Sequence, residues 1–86
     1  MLEKYRHQID EIDTKIIDLL AKRFEIVKKI WKYKKEKNIP TLQHKRWQKV
    51  LKTRKQLAKQ KWINTELIEN IWNLIHKEAL LIENNK

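Results

Sequence analysis

An all-α fold of three helices per chain, paired with a second copy into an intertwined homodimer, is what the sequence predicts, on three observations. Apolar residues recur at alternating steps of three and four. The 86 residues contain no glycine and a single proline, Pro40. The first periodic segment is too long for one small globule to cover. A chain of this length makes one domain, residues 1–86, and buries only about 60–65% of its unfolded surface, so a monomer would have a thin core.

In the first segment Tyr5, Ile9, Ile12, Ile16, Leu19, Ile26, Ile30 and Tyr33 form one helical stripe, which predicts a helix over about 3–37. It should stop at Asn38-Ile39-Pro40, because proline disfavours helical geometry in the residue before it and has no N–H to donate. A second helix is expected over about 43–60, with Trp47, Val50, Leu51, Arg54, Leu57 and Ala58 on one side. Asn64 is a candidate N-cap for a third, about 65–84, whose first turns carry Glu66 and Glu69 at the favourable end of the helix dipole. A 35-residue helix is roughly 52 Å long, whereas a compact 86-residue globule has a radius of gyration of about 12 Å. The far half of the first helix therefore needs a partner, and the simplest is a second copy related by a two-fold axis.

Composition narrows the function. Without glycine, phosphate-cradling nucleotide loops are excluded. Without cysteine there are no disulfides or thiolate metal sites, and His7, His44 and His76 lack metal-ligand spacing, so no metal is expected. The N-terminal residues carry no apolar signal region and no stretch suits a bilayer, which leaves a cytoplasmic protein without a membrane role as the expectation. Charge is uneven: residues 22–61 hold 16 Lys/Arg against Glu25 and Glu36 only, and each flank is weakly acidic. The ligand or partner should be anionic, either nucleic acid or a small dianion, unless the charge simply forms a solvated face.

Several residues break the apolar pattern. Arg23 fills the gap in the first stripe between Leu19 and Ile26. A guanidinium there must snorkel, pair with an acid of a partner helix, or meet a ligand carboxylate, since an unpaired buried charge costs several kcal/mol. In the third segment Trp72, His76, Ala79 and Glu83 share a face that ends in an ionisable carboxyl. Lys34 and Arg46 each lie one turn from an apolar position, so cations from two helices can converge between them. The arginine fork suits carboxylates in particular.

Arg6-x-x-Ile9-Asp10-x-Ile12-Asp13-x-x-Ile16-Ile17-x-Leu19-Leu20-x-x-Arg23, followed by Lys34, Ile39-Pro40 and Arg46, resembles the all-α (AroQ-class) chorismate mutases, without a gap from Arg6 to Glu83. The resemblance implies a dimer of three-helix chains with two equivalent sites and no cofactor. The substrate it implies is the dianion chorismate, rearranged to prephenate for aromatic amino acid (Phe/Tyr) synthesis from the shikimate pathway. It casts Arg6 as the arginine donated across subunits and Arg23 as a carboxylate ligand. Arg46 orders the site and binds substrate, and Lys34 contacts a carboxylate and the ether oxygen. This isomerase reaction is a unimolecular pericyclic rearrangement, which needs a compact substrate conformer and cations near the ether oxygen rather than a nucleophile.

Four positions depart from the family pattern. Gln43 stands where an acid is usual. Trp47 replaces the glutamate that accepts a hydrogen bond from the substrate's ring hydroxyl, and as an N–H donor of larger size it either turns into the core or narrows the pocket. Ala79 replaces a polar residue near the ring carboxylate. Glu83 replaces the glutamine that donates to the ether oxygen, and can donate only when protonated, which predicts turnover that improves toward acid. These departures leave open an isochorismate pyruvate lyase-like activity or a degenerate site that only binds chorismate. Two readings of another class are a basic module whose lysines track nucleic-acid phosphates while Trp31, Trp47 or Trp62 stack on bases, and a purely structural helical protein. No reader motif supports the former, and Trp47 and Trp72 fall on apolar faces.

Overall fold

The computed structural model describes residues 1–40 and 43–84. These residues form three helices, α1 (Leu2–Lys37), α2 (His44–Gln60) and α3 (Thr65–Asn84), within one residue of the expected boundaries at each end. α2 and α3 form an antiparallel hairpin: Lys55 reaches Glu69 at 2.7 Å and Trp47 meets His76 farther along. The C-terminal half of α1 lies alongside α3 and runs in the same direction.

The helix ends follow local chemistry. Asn64 Oδ1 accepts from the backbone N–H groups of Glu66 at 2.8 Å and Leu67 at 3.3 Å, which caps α3 as expected and is worth about 1 kcal/mol. α1 ends on Asn38 in the left-handed conformation (φ 54°), with Ile39 N–H donating back to Lys34 C=O at 2.9 Å and Asn38 N–H to Lys35 C=O at 3.4 Å. α2 ends the same way around Trp62 (φ 60°), with Ile63 N–H on Ala58 C=O at 2.9 Å and Trp62 N–H on Lys59 C=O at 3.3 Å. This paired bonding satisfies the last carbonyls and requires one left-handed residue. Asparagine tolerates that geometry; a bulky tryptophan is strained by it, at a cost on the order of 1 kcal/mol.

Packing is sparse. Among the described residues only Val50, Ala58 and Ile75 form a buried apolar core. The radius of gyration is 15.9 Å and the long axis 55 Å, well beyond the roughly 12 Å radius of a compact chain of this length. Every residue from Met1 to Leu19 is exposed, because α1 runs past the hairpin that covers its other half.

The C-terminal half of α1 carries two apolar faces. Leu20, Phe24, Val27 and Trp31 are half-buried toward the hairpin. The predicted stripe adjoins this face but stays open, with Ile12 55%, Ile16 50%, Ile26 55% and Ile30 48% exposed. Arg23 lies between the two faces and is half-buried.

Candidate active site

A cavity of about 380 Å³ opens where the three helices meet, within the size range of small-molecule sites. α1 contributes Arg23, Val27, Trp31 and Lys34 to its wall, spaced so that they share a helix face. The first turns of α2 contribute Gln43, Arg46 and Trp47, and α3 contributes His76, Ala79 and Glu83. Seven of the eight residues selected from sequence therefore line one cavity: Arg23, Lys34, Gln43, Arg46, Trp47, Ala79 and Glu83. The eighth, Arg6, does not reach it. It lies 17 residues before Arg23, roughly 25 Å along the helix, and pairs with Glu3 at 3.1 Å on the exposed arm.

Val27, Trp31 and Leu80 were not anticipated as cavity residues. The first two follow Arg23 by four and eight residues, which puts them on its side of α1, but that spacing does not say which side the hairpin covers. The neighbouring stripe from Tyr5 to Tyr33 has the same period and more apolar members.

The cavity is electropositive. Burial and the nearby charges of Arg54 and then Arg46 hold the Arg23 pKa below its ordinary value. The fold thus gathers cations at a cost that an anionic ligand would relieve. α2 adds to this field, because its N-terminus opens on the cavity and its first turn contains no acid.

The two ends of the cavity differ. At one end Trp47 and His76 lie flat against each other, ring centroids 3.9 Å apart and planes 13° from parallel. Burial, and second Arg23, lower the His76 pKa and favour the neutral ring. At the other end burial raises the Glu83 pKa, with the charge of Lys34 opposing the shift. Glu83 Oε1 is a buried atom with no hydrogen-bond partner among the described residues. The cavity can hold two carboxylates on cations and presents, beside a lysine, a carboxyl whose neutral form is favoured by burial.

Comparison with known proteins gives the same direction. A family model described as chorismate mutase type II matches residues 5–84. The T-protein of Enterobacter agglomerans is 32% identical over 85 residues, covering 99% of this chain and 23% of the relative. The T-protein of Haemophilus influenzae is 31% identical over 83 residues, covering 96% of this chain and 22% of the relative. A bifunctional chorismate mutase/prephenate dehydratase of Buchnera aphidicola is 33% identical over 82 residues, covering 95% and 21%. The chain thus spans between a fifth and a quarter of the length of the curated relatives it matches. No solved structure matches significantly.

Proposed function

Since the chain belongs to the type II chorismate mutase family, we propose that it converts chorismate to prephenate for phenylalanine and tyrosine synthesis. In this reading it is a single cytoplasmic domain over residues 1–86 acting as a homodimer. The observation that carries the reading is the convergence of Arg23, Lys34 and Arg46 on one cavity, with Glu83 the only acid among the described residues of its wall, an excess of positive charge that matches a dianion.

Arg23 and Arg46 are assigned the two carboxylates, using the planar fork of each guanidinium. Fixing both carboxylates selects the folded conformer in which the reacting carbon atoms approach. Lys34 faces the ether oxygen, where negative charge grows as the bond to the ring breaks, and preorganised cations there favour the transition state over the ground state. Gln43 and Ala79 complete the wall, with Ala79 offering shape rather than a hydrogen bond. Arg6 is assigned to the partner's cavity: the exposed α1 arm that carries it extends away from its own site. Incubation of the purified protein with chorismate should consume it and form prephenate without added metal or cofactor. A folded dimer that leaves chorismate unchanged would overturn the assignment.

Glu83 completes the mechanism as a proton-bearing donor to the ether oxygen. Its pKa is raised above the ordinary carboxyl value, chiefly by burial, so the neutral, donating form persists to a higher pH than for an exposed glutamate. The active form exists below that raised pKa and is lost as pH climbs through it. Turnover should therefore rise as pH falls from neutral through that raised pKa. Glu83→Gln, a donor at every pH, should flatten this limb and raise the rate at neutral pH by about tenfold, one hydrogen bond to a developing charge. A wild-type profile that is already flat would remove this role.

A further inference from the structure

The Trp47–His76 stack is unexplained by the rearrangement chemistry, which needs only cations and a donor at the ether oxygen. On the reading that chorismate is the substrate, we propose that His76 is the hydrogen-bond acceptor for the ring hydroxyl of chorismate, making it a specificity-determining residue held in place by Trp47.

An inventory of donors and acceptors leads there. Chorismate brings acceptors in its two carboxylates and its ether oxygen, and one donor, the ring hydroxyl. The cavity wall is the reverse: Arg23, Lys34, Arg46 and Trp47 only donate. A hydroxyl moved from water into such a wall without an acceptor loses a hydrogen bond and weakens binding. Three side chains among the described residues of the wall have an acceptor. Glu83 stands seven residues beyond His76 on α3, roughly 10.5 Å along the axis, on the side of Lys34, where its proton serves the ether oxygen. Gln43 is exposed at the start of α2, where water can compete for it. His76 is half-buried.

The stack decides the geometry of that acceptor. Trp47 covers one face of the imidazole at 3.9 Å, which fixes the ring plane and leaves the nitrogen-bearing edge to make hydrogen bonds. The charged groups around it are Arg23 from α1 and Arg46 from α2, with Glu83 farther along its own helix. Burial and Arg23 both favour the neutral ring, and a neutral imidazole keeps one acceptor nitrogen. Trp47 acts as a positioning residue: it holds the ring whose edge reads the substrate.

The test crosses one substitution with one change in the substrate. His76→Phe keeps a flat ring against Trp47 and deletes both nitrogens; the altered substrate is chorismate with its ring hydroxyl replaced by hydrogen. Each change alone should lower kcat/KM by about tenfold, the scale of one lost hydrogen bond at a buried site, and the two together should cost no more than either one. His76→Gln, which restores an acceptor without the ring, should recover part of the preference for the hydroxyl. Independent losses that multiply to about a hundredfold would reject His76 as the acceptor. So would a wild type that treats the two substrates alike, a result that does not depend on any variant folding. Wild-type protein that fails to convert chorismate would overturn the functional assignment itself, and this inference with it. Turnover with independent losses would overturn only the role of His76.

Discussion

Replacing Arg23 with alanine is expected to lower kcat/KM for chorismate by roughly a hundred- to a thousandfold, the loss seen when one preorganised charge-stabilising donor is removed from an active site, while leaving the melting temperature unchanged or slightly higher. The two halves of this result have one cause. Arg23 is half-buried beside Arg46 and Arg54, and the depression of its pKa means that the folded chain disfavours its charge until an anion arrives. Removing the guanidinium removes repulsion as well as a ligand contact. Lysine is a poor substitute because a compact ammonium cannot hold a carboxylate by two parallel bonds, so Arg23→Lys should recover only a small part of the rate. Steady-state kinetics and a thermal melt on the same preparations test both halves. Activity within tenfold of wild type would show that the carboxylate is held elsewhere.

The second large effect concerns the open stripe of α1. Ile12 and Ile16 lie on the arm that has no intramolecular cover, and both are about half exposed in the chain alone. Pairing of two chains would bury this stripe against its symmetry mate, so each substitution there counts twice. Wild-type protein should sediment as a dimer. Ile12→Asp with Ile16→Asp should weaken dimerisation by at least about a thousandfold, since four unpaired carboxylates would be taken out of water at a kcal/mol or more each. With so few buried residues among those described in one chain, the dissociated variant should also lose much of its helical circular dichroism, and its mutase activity with it. A double variant that remains a folded, active dimer would place the interface on another face.

Much of this protein is written in local sequence. The end of α1 at Asn38 and the cap at Asn64 were legible because they depend on residues within one or two turns. The cationic frame was legible for a related reason: Arg23, Lys34 and Arg46 interrupt or flank apolar runs, and a charge at such a place must face something that answers it. The length of α1 against the size of the chain likewise announced that one copy could not cover its own first helix.

Other features were beyond the reach of local pattern. Trp47 could be read as turning into the core or narrowing the pocket, and its indole chemistry does not choose. Its stack on His76 joins residues 29 apart in sequence, and arises only when α2 folds back antiparallel on α3. Val27 and Trp31 could not be assigned to the cavity from periodicity alone, because α1 has two adjoining apolar faces and only the docking of the hairpin determines which is covered. The sequence by itself determined three helices, their ends and a set of cations seeking an anion. The tertiary structure decided which face of α1 became cavity wall, which end of the cavity holds an imidazole and which a carboxyl with a raised pKa, since these depend on how distant segments pack and on the burial that packing imposes.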